Sequence, residues 1–218
     1  MARCAMIVLT GGPGGGKTAL IEELARDPAW AGRFVALPEA IWLMRTLNLS
    51  PREKLFQRVM VHLQMALEDG LQCALDPEGP RLILCHRGSL DPLAYWLRSG
   101  WPEGEFFVYT GTSREDHYAR YTAVIHLVTA ADGALAAYKR WPEAHRSEPP
   151  GEAVRTDRLL QQAWGAHPRY HRIDNQERDW AAKSRAAKEV LADLLDGLDQ
   201  IPLGPSTPGH EDAKTPRA

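Results

Sequence analysis

Between Thr10 and Leu20 the chain places five glycines and a proline directly in front of a lysine and a threonine: Gly11, Gly12, Pro13, Gly14, Gly15, Gly16, Lys17, Thr18 and then Ala19. Glycine loses more conformational freedom on folding than any other residue, so a run this dense needs a physical reason. Gly11 and Gly16-Lys17-Thr18, with four residues between the glycines, have the spacing of a P-loop. In that loop successive backbone N–H groups converge on phosphate oxygens, and the positive end of the following helix adds to the attraction. Lys17 is expected to reach the β and γ phosphates, and the Thr18 hydroxyl to sit on Mg²⁺. The stretch from Gly11 to Ala19 is therefore expected to bind ATP with Mg²⁺.

The flanks carry the same message. Cys4 to Thr10 is a short apolar run suited to a buried strand, and Leu20, Ile21 and Leu24 recur at helical spacing after the lysine. A flexible glycine turn that merely happened to precede Lys-Thr would need neither. Further strands are expected at 33–40, 81–85, 122–129 and 170–175. A helix is expected from Ser50, with Ser50 as N-cap, Pro51 at the first helical position, Glu53 closing a capping box and Gly70 as its stop. Its apolar positions are Phe56, Val59, Met60, Leu63 and Leu67. A closing helix follows Glu177.

Strands alternating with helices imply a parallel sheet covered on both faces, with ligands at the carboxyl ends of its strands. The residues just past each strand are thus the candidates for chemistry. Glu39 could act as general base or support the metal, or simply begin the next helix. Arg87 could fork onto a phosphate oxygen or a substrate hydroxyl, or pair with a nearby acid on the surface. Asp91 could accept a hydroxyl proton, hold a metal-bound water, or cap the helix that it opens. Asp174 and Asn175 are expected to contact the nucleotide. The stretch 132–164 is rich in charge around Pro149-Pro150-Gly151 and reads as a helical lid, with Arg146 stabilising the transferring phosphoryl group and Arg140 either sharing that role or lying on a solvated face.

One expected group is missing. The strand 81–85 would ordinarily lead into an aspartate near the metal, yet it leads into His86, and imidazole is a poor partner for Mg²⁺. Either Thr18, phosphate and water suffice, or Glu39 or Asp91 supplies the carboxylate. His167 and His171 are four apart, but Pro168 between them argues against a helical zinc site.

With 218 residues and a net charge of −2, the composition suits one α/β domain and gives no sign of nucleic-acid or membrane-surface binding. Cys4, Cys73 and Cys85 read as buried free thiols of a reducing compartment. No apolar run approaches the length of a membrane helix, so a cytoplasmic protein is expected. The domain is expected over 1–198, and the four-proline tail 199–218 as disordered. The oligomeric state is not written in the sequence.

Several blocks taken together, VLTGGPGGGKTALIEEL, PEA, RGSLDPLAYW, IHLVTAADGALAAY, RSEPPGEAVRTD and AWGAHPRYHRIDN with Lys183, resemble a family of small P-loop proteins labelled AAA-domain or NadR-like. It includes nicotinamide-riboside-kinase-like and tunicamycin-resistance-like ATP-binding proteins. The resemblance spans most of residues 4–195. It implies a kinase-like three-layer sandwich with a central five-stranded parallel sheet and a helical lid. The family usually has Asp-Arg-Gly where this chain has His86-Arg87-Gly88, so Arg87 carries over and a metal role at position 86 does not. The reading that results is a kinase moving the γ-phosphoryl group of ATP to a hydroxyl of a nucleoside-like or antibiotic-like acceptor. A nucleotide-dependent switch and a partner-coupled ATPase are the alternatives; nothing in the chain matches the Asn-Lys-x-Asp of a guanine site.

Overall fold

The computed structural model describes residues 4–44, 47, 49–75, 79–80, 82–140 and 148–199. Five strands, β1 (Ala5–Thr10), β2 (Phe34–Leu37), β3 (Leu82–His86), β4 (Ala123–Leu127) and β5 (Tyr170–Ile173), form one sheet in the order β2-β3-β1-β4-β5. All four pairings are parallel. Parallel strands buried on both faces should be apolar at every position, and β1, β3 and β4 are fully buried along their lengths.

The two faces divide by alternation. Ile7, Leu9, Leu84 and Ile125 point to one layer, where they meet Leu20 and Leu24 of α1 (Lys17–Arg26) and Leu191 of α9 (Trp180–Asp199). Met6, Val8, Ile83 and Val124 point to the other. There they pack against α3 (Lys54–Ala74), α4 (Asp91–Arg98), α5 (Glu103–Thr110) and α8 (Pro150–Trp164), through Val61, Leu93, Phe106 and Trp164. The remaining short helices are α2 (Ile41–Met44), α6 (Arg114–Ala119) and α7 (Leu135–Arg140). The structure is an α/β P-loop sandwich of three layers. The chain leaves β1 towards β2 and leaves the adjacent β4 towards β5, so the crevice at their carboxyl ends is where such a sheet receives ligands.

Several expectations need correction. The long helix begins at Lys54, not at Ser50, and its N-cap Glu53 makes no side-chain cap bond. Ser50 instead closes the preceding turn, accepting from Arg52 N at 3.3 Å and Glu53 N at 2.9 Å, while Gln57 Nε2 donates to Pro51 O at 2.8 Å. Gly70 does not stop α3, which runs on to Ala74; one helical glycine costs only about 1 kcal/mol, which packing overcomes. α5 and α6 were not anticipated.

The expected lid divides into unlike parts. α8 lies in the core layer against α4, with Ala153, Leu160, Ala163 and Trp164 fully buried, and so does not stand over the cleft as a free lid. Arg146 and the tail 200–218 lie outside the described residues. The cysteines also differ from expectation, since only Cys85 is buried and Cys73 is exposed on α3. Among the described residues no helix is long and apolar enough to cross a membrane.

Candidate functional site

The P-loop leaves β1 and turns back on itself through a Gly15 N–H to Gly12 O bond of 3.2 Å. Gly16 ends the loop at φ +97°, in the left-handed region, and serves as N-cap of α1. A Cβ there would lie 2.1 Å from the Trp180 ring at the start of α9. Gly15 is equally confined, since a Cβ would fall 2.4 Å from Leu127 O at the end of β4. The loop is therefore a fitted part of the fold, its glycines required by both conformation and close approach. Lys17 is 6% exposed and folds back to donate to Gly11 O at 2.7 Å and Gly12 O at 3.2 Å. Its ammonium sits over the cradle in which phosphates bind.

Behind the loop lies Asp157 of α8, which the sequence placed in the lid. Its Oδ1 accepts from Gly12 N at 2.7 Å and Thr129 N at 3.0 Å, and Oδ2 accepts from Gln161 Nε2 at 2.8 Å. Burial works to raise this carboxyl, but the adjacent His126 ring, the Gly12 N–H and Gln161 outweigh it and hold it at about 2. His126 Nε2 is 3.1 Å away but too poorly aligned for a hydrogen bond. One carboxylate thus ties the P-loop, the loop after β4 and α8 together.

Register brings the next residues in. Leu9 of β1 pairs with His86 of β3, so the turn after β3 emerges beside the P-loop. His86 Nε2 lies 3.1 Å from Thr18 Oγ1, and its Nδ1 faces Glu39 Oε2 at 3.8 Å. Burial, with the Lys17 charge added, lowers the imidazole to about 3, so His86 is neutral at physiological pH. Arg87 follows at φ +80°, a strained conformation for a residue with a Cβ, costing about 1–3 kcal/mol. Its backbone is held by Leu9 O, which accepts from Arg87 N at 3.1 Å, and by Gln64 Nε2, which donates to Arg87 O at 3.2 Å.

The guanidinium of Arg87 is shared. Nε donates to Glu39 Oε1 at 2.6 Å, Nη1 donates to Asp91 Oδ2 at 3.1 Å, and the group lies over the Tyr95 ring. Burial would raise the Glu39 carboxyl, but Arg87 above all, with Lys17 behind it, prevails and holds it at about 2. Glu39 is ionised throughout the physiological range and its side chain is 24% exposed at the cleft. Asp91 is different. It is 2% exposed and accepts from Thr10 Oγ1 at 2.9 Å, Trp164 Nε1 at 2.8 Å and Arg87. The helix cap is Leu90, not Asp91. Held by three donors and almost wholly buried, Asp91 anchors Arg87.

Asp174 and Asn175 stand apart from the cleft's walls. The Asn175 amide donates to Thr129 O at 2.8 Å and Asp132 O at 2.6 Å, and its oxygen accepts from Lys183 Nζ at 3.0 Å. Asp174 accepts from Arg172 Nη1 at 3.2 Å and from Gln176. Asn175 thus braces the loop after β4, while Asp174 pairs within its own turn. Thr18 and Ala19 both lie exposed on the first turn of α1, and Thr18 lines the cleft.

The cleft itself holds about 780 Å³. Its lining joins the P-loop, Glu39, His86 and Arg87 to the apolar side chains Ile41, Trp42, Phe56 and Met60 and to Tyr95 and Arg98. Arg98 is fixed by Glu148 and by Thr156 Oγ1 at 3.0 Å. Sequence reasoning missed Gln64. It belongs to a buried stripe on α3, Gln57, Val61, Gln64 and Glu68, that faces inward in place of much of the expected apolar set. Glu68, fully buried, accepts from Gln64, Tyr121 and Arg120. The signal was three polar residues at helical spacing on one face, which a search for apolar periodicity passes over.

For Mg²⁺, which is bound through oxygen, the fit is poor. Thr18 offers a hydroxyl, but the next side chain is an imidazole, Asp91 is buried and held by Thr10, Trp164 and Arg87, and Glu39 is engaged by Arg87. Among the described residues no three of His, Cys, Asp and Glu gather as a metal site.

No curated protein sequence matches the chain. Residues 6–183, most of its length, match the family described as AAA domain. A strand, a glycine cradle closed by Lys17 and Thr18, and a helix launched from Gly16 are the parts that this match predicts. The chain belongs to that AAA-domain family of P-loop nucleotide-binding proteins.

Proposed function

We propose that the protein is a small-molecule kinase, using ATP to phosphorylate a hydroxyl of a nucleoside-like or antibiotic-like acceptor. The observation that carries this reading is the Glu39–Arg87 pair, which lines the same cleft as the P-loop together with the apolar side chains Ile41, Trp42, Phe56 and Met60. A simple ATPase needs a place for water; a cleft that adds apolar walls and a charged pair to the P-loop suits a molecule with a hydroxyl and an apolar body. The likeness to nicotinamide-riboside-kinase-like proteins in sequence points the same way.

In this account the P-loop amides and Lys17 hold the phosphates, and Arg87 aligns the γ-phosphoryl group with the acceptor. Glu39 accepts the acceptor's hydroxyl hydrogen bond. As the acceptor oxygen bonds to the γ-phosphorus, the bond to the β–γ bridging oxygen breaks and ADP departs. The hydroxyl proton leaves through Glu39 to solvent. A carboxylate held at about 2 is a weak base, so its work is mainly to orient the hydroxyl, as suits a transfer in which the nucleophile needs little activation.

The experiment is ADP release from ATP by the purified protein, alone and with pooled nucleosides, sugars and antibiotics, beside Lys17→Ala. Stimulation by one pool, absent in the variant, supports the kinase. High basal release that no pool changes favours an ATPase instead. Gln64→Met supplies a further check. Loss of the amide that holds Arg87 O is expected to lower kcat about tenfold with the KM for ATP little changed, because Arg87 loses its alignment; the bond to Glu68 goes too, and a denaturation curve of the variant reads that cost separately.

A further inference from the structure

We propose that Gln57 and Gln64 of α3 turn their side-chain oxygens into the cleft to read hydrogen-bond donors, and that the molecule phosphorylated there is a neutral hydroxyl compound that also carries an amide, lactam or imide N–H. The inference rests on the kinase reading of the cleft and names the class of acceptor within it.

Both side chains line the cleft, yet each residue is only 3% exposed. Gln57 Nε2 donates to Pro51 O at 2.8 Å. Gln64 Nε2 donates to Arg87 O at 3.2 Å and to Glu68 Oε1 at 2.9 Å. A backbone carbonyl can only accept, so Pro51 O and Arg87 O decide which end of each amide carries the nitrogen. The two Oε1 atoms are the ends left over. Among the described residues neither of them receives a hydrogen bond, and neither belongs to the polar atoms enclosed without a partner. Each oxygen therefore reaches open space, and the open space that both side chains line is the cleft.

The spacing assigns the two positions. Seven residues apart on one helix, Gln57 and Gln64 share a face and stand about 10 Å apart along its axis. Gln64 holds the backbone of Arg87, whose guanidinium holds Glu39, so it belongs to the reacting end of the ligand. Gln57 then reads a remote part of the same molecule, with Phe56 and Met60 lining the cleft beside it. Glu39, Gln64 and Gln57 are all acceptors. A ligand that covers such an oxygen without offering it a donor strips its water and returns nothing. Arg87 and Arg98 are each paired with a carboxylate already, so their charges are met before an anionic group arrives. Donor-rich and uncharged is the chemistry that fits, and an amide-type N–H supplies it at Gln57.

The probes are nucleosides in matched pairs, uridine with 3-methyluridine and inosine with 1-methylinosine, offered with ATP to the full-length protein beside Lys17→Ala. The N–H member of a pair is expected to stimulate ADP release, with kcat/KM about 10–100-fold lower for its N-methyl partner. The same comparison applies to any N–H-bearing acceptor that emerges from the wider pools. Gln57→Met keeps the length of the side chain without its oxygen, so the ratio within the pair is expected to fall towards one. A ratio set by the bulk of the methyl group would persist in that variant. Equal stimulation by both members, or a ratio unchanged in Gln57→Met, would overturn the assignment. The pair measured on the unmodified protein decides even where the variant fails to fold. An acceptor that carries no N–H would also overturn it and leave the kinase reading in place. ADP release that no acceptor raises would remove the kinase reading, and this proposal with it.

Discussion

Glu39→Gln is expected to lower acceptor-dependent phosphoryl transfer by about 10²–10³-fold while leaving ADP affinity within about threefold of the unmodified protein. The contrast follows from where Glu39 stands. The Lys17 charge acts on Glu39, but Lys17 itself is held by Gly11 O and Gly12 O, so the backbone cradle and its lysine are expected to stay in place. Arg87 loses one carboxylate but keeps Asp91 at 3.1 Å, and its backbone stays pinned by Leu9 O and Gln64. The amide of glutamine has nearly the same shape, yet it lacks the charge that draws a hydroxyl hydrogen and can take no proton. Steady-state kcat with the best acceptor, set beside calorimetric ADP binding, checks this. A variant with unchanged kcat, or one that loses ADP binding in proportion to activity, would remove Glu39 from the acceptor site.

Asp157→Ala is expected to destabilise the fold by about 2–4 kcal/mol, with nucleotide binding lost alongside. The substitution strands two backbone donors, Gly12 N–H and Thr129 N–H, where no water reaches, and each unsatisfied buried group costs about 1–3 kcal/mol. Because Gly12 is part of the cradle, the damage falls on binding as well as on stability. Chemical denaturation of the variant gives the first, and ADP titration the second. A related pH dependence follows. The Asp157 carboxyl is held at about 2 in the folded protein, below the usual value near 3.9, so the folded state binds fewer protons than the unfolded chain between those values. Its contribution of about 2–3 kcal/mol is complete above about pH 4 and is lost as pH falls towards 2. Glu39, also held at about 2, adds to the same acid limb. Acid denaturation of Asp157→Asn should show a flatter loss over that window; an unchanged profile would mean that the ties seen at Asp157 carry no net stability.

What could be read from the sequence was local. The P-loop declares itself because phosphate binding by backbone demands glycine in consecutive positions, and the flanking strand and helix lie within a few residues of it. Glu39 and Arg87 could be singled out because a parallel sheet presents its function at strand ends. Their partnership, across 48 residues, could not. Asp157 shows the limit best: it sits in a charged stretch that reads as a lid, and only the packing of α8 on α4 brings it 145 residues back to Gly12. The stripe Gln57–Val61–Gln64–Glu68 failed to register for the opposite reason, since burial of polar groups is made tolerable by partners that lie on other elements. Asn175 was rightly placed at a strand end, but its amide holds the backbone carbonyls of its own neighbourhood.

The most direct test of the central claim follows the phosphoryl group itself. The protein is incubated with γ-labelled ATP and the pooled acceptors, and the label is traced by chromatography and mass spectrometry. The account predicts label in a phosphorylated small molecule bearing an apolar portion, with none formed by Lys17→Ala and little by Glu39→Gln. Label that appears only as inorganic phosphate, whatever acceptor is offered, would contradict it.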